Sequence, residues 1–139
     1  MNQAFVVDAS TVIAWAHPAQ STPESNAWLD RVADGAELVV PSIWGLEIAN
    51  ALLVLQRRRV IVAADRDAAL RLVRALPTVL DHDGSSRALT DLSEIAARES
   101  LSVYDASYLE LALRRNLPLA CRDGALQKAA RRLGVRITP

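Results

Sequence analysis

Cysteine, lysine and aromatic residues are nearly missing from this chain of 139 residues: one cysteine, Cys121, one lysine, Lys128, and aromatics at 4%. A single thiol excludes an intramolecular disulfide framework and a thiolate cluster for zinc, which fits a reducing compartment. So few rings supply no stacking platform for single-stranded bases. No apolar run approaches the roughly 20 residues that cross a bilayer, and the strand-like run at the N-terminus has Asp8 inside it. Neither a signal peptide nor a membrane span is therefore expected, and the expected location is cytoplasmic. Net charge is absent too, since sixteen cations balance sixteen anions. No global basic field advertises a nucleic-acid binder. The cations are arginine apart from Lys128, an excess that a GC-rich coding sequence explains without any function.

What is present is an ordinary globular balance, 51% hydrophobic and 23% charged, long enough to bury a core as one domain over residues 1–139. Short apolar runs alternate with longer helical patterns. Strands are predicted near Phe5 to Val7, Glu37 to Val40, Thr78 to Leu80, Leu119 to Cys121 and Val135 to Thr138. Helix signals fill the gaps. Thr22 precedes an N1 proline, Pro23, and Gly35 stops the face of Trp28, Leu29, Val32 and Ala33. Ser42 is placed to cap a helix running through Leu55 into Arg57, Arg58 and Arg59. Further helices are predicted over Asp65 to Ala75, Ser85 to Arg98, Asp105 to Arg115 and Asp123 to Leu133, the last stopped by Gly134. Strands alternating with helices predict an α/β fold with a mainly parallel central sheet, whose ligand site lies outside the carboxyl ends of the strands.

Four acids stand where apolar segments end or where a charge is hard to explain by solvation. Asp8 closes Phe5-Val6-Val7, Asp123 follows Leu119-Ala120 closely, Asp105 opens a helical segment, and Glu47 lies within Ile43-Trp44-Gly45-Leu46-Glu47-Ile48-Ala49. Each has a plain structural reading as well. Asp8 can cap a short helix starting near Ala9, Ser102 and Asp105 fit a capping box, and Asp123-Gly124 is an ordinary turn or helix start. Glu47 is harder to dismiss, because Ile43, Trp44, Ala51 and Val54 make its helix face largely apolar. Asn50, one turn on, can hydrogen-bond a carboxylate or a water. Clustered carboxylates repel one another, and a hard divalent cation resolves that conflict. Oxygen-only donors suit Mg2+ or Mn2+, whereas zinc prefers the imidazole and thiolate that this chain scarcely supplies. His17 and His82 read as surface residues, and Asp81-His82-Asp83-Gly84 as a turn after the third strand.

Val6-Val7-Asp8-Ala9-Ser10, Trp44-Gly45-Leu46-Glu47-Ile48-Ala49-Asn50, the segment Leu101 to Ala112 with its Tyr104-Asp105-Ala106-Ser107-Tyr108-Leu109 core, and Leu119-Ala120-Cys121-Arg122-Asp123 occur in the order and spacing of the PIN-domain nucleases. The chain resembles this family end to end, and among its members the VapC-type toxins. The resemblance implies a three-layer PIN fold, a Mg2+- or Mn2+-dependent endoribonuclease, an RNA substrate, a cognate small antitoxin and a homodimer. It assigns Asp8, Glu47, Asp105 and Asp123 as the acidic quartet, with Asp8, Asp105 and Asp123 on the metal and Ser10 and Asn50 in support. Cys121 departs from it, since many relatives carry threonine there, which makes Asp123 the least secure assignment.

Rival classes fit less well. A phosphoacceptor receiver needs an acidic pair after the first strand and a lysine after a late one, but Lys128 falls in the terminal helix pattern. A haloacid-type phosphatase needs Asp-x-Asp where this chain has Asp8-Ala9-Ser10. A housekeeping PIN ribonuclease in RNA processing, and a PIN-like module that binds without cleaving, remain as alternatives. Arg122, Arg57 to Arg59 and Arg114-Arg115 are candidates for RNA phosphates, though a solvated helix face explains the arginine pairs equally. Trp15, Trp28 and Trp44 serve either as core or as the wall of an apolar groove for the antitoxin.

Overall fold

The computed structural model describes residues 3–139; the first two residues of the expected 1–139 domain lie outside it. Four strands form one sheet: β1 (Phe5–Val7), β2 (Leu38–Val40), β3 (Thr78–Leu80) and β4 (Leu119–Ala120), in the spatial order β3-β2-β1-β4. Every pairing is parallel, with Val6 opposite Val39 on one side and Leu119 on the other. Central strands in such a sheet are covered on both faces and read as unbroken apolar runs. Phe5, Val6 and Val7 are all fully buried, as are Leu119 and Ala120, each large side chain contributing about 1.5–3 kcal/mol by leaving water.

Seven α-helices flank the sheet: α1 (Ala9–Ala16), α2 (Pro23–Ala33), α3 (Trp44–Arg57), α4 (Ala63–Ala75), α5 (Ser93–Glu99), α6 (Val103–Arg115) and α7 (Gly124–Arg132). α1 packs against α2, α3 and α4, while α6 lies on β1 and against α5 and α7. Caps follow the predicted chemistry at α2, where the Thr22 hydroxyl accepts from Ser25 N at 3.1 Å and Pro23 occupies N1. Gly35 and Gly134 take the positive φ values, 101° and 78°, that end α2 and α7.

Three expectations need correction. Ser42 does not cap α3. Trp44 N instead donates to the Pro41 carbonyl at 3.1 Å, a turn that delivers the chain to the helix with Ile43 at the cap position and no side-chain cap. The helix predicted over Ser85 to Arg98 is a 3-10 turn (Ser85–Arg87), a π turn (Ala88–Leu92) and then α5. Within this segment Arg87 reaches Asp91 at 3.3 Å and Glu110 of α6 at 3.8 Å, and the widened turn buries Leu92 while leaving Leu89 in solvent. Val135 to Thr138 is not a strand. One bond, from Leu119 N to the Arg136 carbonyl at 2.9 Å, ties it to β4, and no ladder continues.

All three tryptophans are core residues. Trp28 stacks on Phe5 with ring centroids 4.6 Å apart, and the Trp15 indole donates to the Ser25 carbonyl at 2.7 Å. Of the two readings offered for Trp15 and Trp44, core or groove wall, their buried side chains match the first. Among the described residues no helix is long and apolar enough to cross a membrane.

Candidate functional site

The four acids come from four chain segments and meet at the carboxyl edge of the sheet. Asp8 directly follows β1, Asp123 follows β4 by two residues, Asp105 lies in the first turn of α6, and Glu47 in the first turn of α3. The plain structural readings of the aspartates are realised at Asp8 and Asp123, and at Asp105 by one half of the capping box. Asp8 Oδ1 accepts from Thr11 N at 3.0 Å and caps α1; Asp123 Oδ1 accepts from Leu126 N at 2.9 Å and caps α7. Asp105 N donates to the Ser102 hydroxyl at 3.0 Å, the cap of α6. Capping and clustering are therefore not alternatives here. At Asp8 and Asp123 the caps fix the carboxylates themselves at this edge, whereas at Asp105 the cap fixes the start of the helix that carries it.

Asp105 is the electrostatic centre of the group. Its carboxyl is held above the usual carboxylate range by burial first and then by the charge of Asp123, with Ser102 opposing. Its own charge raises Asp8 and Glu47 in turn. Asp8, only 5% exposed, is pushed up to about 6, mainly by burial, against hydrogen bonds from Thr11 and Ser10. The Ser10 hydroxyl donates toward the Asp8 carboxylate, 3.0 and 2.9 Å from its two oxygens. Glu47 is half-buried and also raised, chiefly by burial. Asn50 is exposed on the following turn of α3. Asp123 is the most open of the four, exposed beside the equally exposed Arg122.

Donor chemistry at this edge suits a hard divalent cation: carboxylate oxygens without imidazole, and like charges whose mutual repulsion an ion would relieve. The spacing is open. Among the described residues no three Asp, Glu, His or Cys side chains stand close enough together to hold a metal ion as they are. Cys121 borders the cluster as a buried thiol. Burial first, then the charges of Asp8, Asp123 and Asp105, hold it well above the ordinary thiol range, so it stays protonated and unreactive.

Two participants escaped the sequence reading. Tyr108, fully buried on α6, donates its hydroxyl to Glu47 Oε1 at 2.5 Å. Burial, that bond and the charges of Glu47 and Asp8 keep the phenol protonated. A tyrosine on the buried face of a helix must find an acceptor for its hydroxyl, and that rule was the available signal. The second is Glu110, buried behind the site, where Arg114 donates to it at 2.7 Å and to both oxygens of Asp81 at 3.0 and 2.8 Å. Arg114 is thereby committed to the protein interior and is not a phosphate ligand. Asp81-His82-Asp83-Gly84 is the expected turn after β3, with Gly84 N donating to Asp81 Oδ2 at 2.9 Å. Arg57, Arg58 and Arg59 are exposed at the end of α3.

Comparison with solved structures finds the same architecture in several proteins, among them the following three. PAE2754 from Pyrobaculum aerophilum is 23% identical, with a TM-score of 0.67 over 93% of this chain and 87% of that one. VapBC2 from Rickettsia felis, solved bound to a DNA fragment from their promoter, is 10% identical with a TM-score of 0.64 over 97% and 96%. FitAcB from Neisseria gonorrhoeae is 17% identical with a TM-score of 0.61 over the same shares. At such identities the likeness is one of fold. Comparison with curated proteins by sequence finds no match. The PIN domain family model matches residues 5–132, from the first residue of β1 to the last of α7, and so takes in all four acids. The chain belongs to the PIN domain family, whose members are generally nucleases.

Proposed function

We propose that this chain is a metal-dependent endoribonuclease that acts as the toxin of a toxin-antitoxin pair. The observation that supports this most is the convergence of Asp8, Glu47, Asp105 and Asp123 on one edge of a PIN-domain sheet. Asp8, Asp105 and Asp123 would hold Mg2+ or Mn2+, directly or through water. When bound, such an ion supplies an activated water and neutralises charge on the transition state of phosphodiester hydrolysis. Glu47 orients the attacking water, for which a half-buried carboxylate with a raised proton affinity is suited. Ser10 fixes the rotamer of Asp8, and Asn50 is placed to bond a water or the RNA backbone from the next turn of α3. Arg122, exposed next to Asp123, is the cation best placed for an RNA phosphate. Two of the similar structures carry toxin-antitoxin names, VapBC2 and FitAcB, which favours a small antitoxin as partner; a homodimer belongs to the same reading and rests on the family resemblance alone.

A test in bacteria separates this reading from a housekeeping ribonuclease and from a binding module. Induced alone, the chain arrests growth; Asp105→Asn, nearly isosteric but uncharged, lowers RNA cleavage by orders of magnitude and lifts the arrest while the protein stays folded. Co-expression of a small protein encoded beside it restores growth. Normal growth with abundant wild-type protein that still cleaves RNA in vitro would favour the processing ribonuclease, and no cleavage in either Mg2+ or Mn2+ would favour the binding module.

A further inference from the structure

Tyr108 and Glu47 lie 61 residues apart in sequence, on α6 and α3, and their side chains meet in a bond of 2.5 Å. The phenol is buried, with 1% of its surface exposed, whereas the carboxylate it grips is only half-buried and stands at the acidic edge within reach of the Asp105 charge. Beside Tyr108 the buried part of α6 holds Ala106, Leu109, Leu111 and Ala112 together with the polar Ser107 and Glu110, neither of which bonds the phenol, and for packing alone a phenylalanine ring would serve as well. The use of the hydroxyl is directional. Glutamate is a flexible side chain that loses rotamer freedom when held, and here one oxygen is held while the other stays available.

We propose that Tyr108 is a positioning residue for Glu47: its hydroxyl pins Oε1 and thereby presents the remaining oxygen, in one rotamer, to the water that attacks the phosphodiester. The role rests on the nuclease reading above. It joins α6, which carries Asp105, to α3, which carries Glu47, through a single charge-assisted bond, so the two acids are aligned without a metal to organise them. The assignment also gives work to the second tyrosine of the Tyr104-Asp105-Ala106-Ser107-Tyr108 motif. Tyr104, by contrast, is 62% exposed.

The test compares wild type, Tyr108→Phe, Glu47→Asp and the double variant on a pool of random-sequence single-stranded RNA in Mn2+, with melting and proton NMR of the metal-free chains alongside. Tyr108→Phe is expected to lower kcat about tenfold, the loss of one bond to a charged group, with KM within about twofold. Glu47→Asp withdraws the carboxylate by one methylene from the hydroxyl. Adding Tyr108→Phe to it should therefore change kcat by less than about twofold, since residues that act as one unit are not additive. A slowly exchanging Tyr108 hydroxyl proton should appear in the wild-type spectrum and vanish in Glu47→Asp. A full additional tenfold loss in the Glu47→Asp background, a loss in which KM and melting move as much as kcat, or an undetectable hydroxyl proton would overturn the assignment. An active wild type whose Tyr108→Phe variant keeps its kcat overturns this inference alone. A wild type that cleaves no RNA in Mg2+ or Mn2+ ends the nuclease reading and this role with it.

Discussion

Asp8 caps α1 with one oxygen and repels Asp105 with its charge, and the two roles respond differently to substitution. Its carboxyl rises from 3.8 to about 6, so the folded chain binds that proton more tightly than the unfolded chain does. The sign follows directly: this contribution to stability is complete below about pH 4, falls as pH rises, and is gone above about pH 6. Its size is on the order of 3 kcal/mol for a shift of about two units at a buried site. Asparagine caps as well as aspartate and carries no charge. In EDTA at pH 7, Asp8→Asn should therefore unfold at higher urea than wild type, and the gap should close below about pH 4; a gap that does not depend on pH would remove the burial argument. Asp8→Ala should lose about 1 kcal/mol relative to Asp8→Asn, the worth of the cap. At this scale the sequence was informative about which acids the fold brings to one edge of the sheet, because each closes or interrupts an apolar run. It was silent on Tyr108, whose partner lies on another helix, and on the buried Glu110, whose Arg114 partner one turn along α6 is an ordinary surface spacing until Asp81 joins it.

Among the elements, α6 has the most to do: it carries Asp105 at its start, Tyr108 and Glu110 on its buried face, and Arg114 in its last turn. Arg114 ties it to the end of β3, where Asp81 is 1% exposed and held well below the usual carboxylate range, first by the Arg114 hydrogen bonds. Removing one partner of a buried pair leaves the other charge uncompensated, a cost of about 3–5 kcal/mol. Arg114→Ala should destabilise the chain by about that amount in urea unfolding, and a change below 1 kcal/mol would show the pair to be solvated. Legibility at this scale divides along the same line. β1, β2 and β3 and the helices with good caps, α2 and α7, were readable because hydrophobic run and local capping agree. The interrupted segment from Ser85 to Leu92 was not, because a side chain of α6 decides where Arg87 goes. Val135 to Thr138 has the composition of a strand, yet β4 is only two residues long and offers it a single bond.

For the whole molecule, the open acidic edge predicts a measurable response to cations. An ion that binds only the folded chain stabilises it by about 2.7 kcal/mol at a hundredfold excess over its dissociation constant, a rise in Tm of about 5 to 15 °C for a chain this size. Melting in EDTA, Mg2+ and Mn2+ measures this. A Tm indifferent to both ions would mean that the carboxylates do not share a cation.

The sheet that gathers these acids is also cut short on both sides. β3, at one margin, has three residues, entered from Pro77 and left through the Asp81–Arg114 pair; β4, at the other, has two, with Arg136 already accepting from Leu119 N. A margin recruits foreign strands in proportion to the length of free backbone it presents, and proline and short strands are the usual ways of withholding it. Neither rim of this sheet presents enough backbone to template a neighbouring chain. Copies of the protein that accumulate without a partner accordingly have no ladder to extend, and association between them is left to helical surfaces.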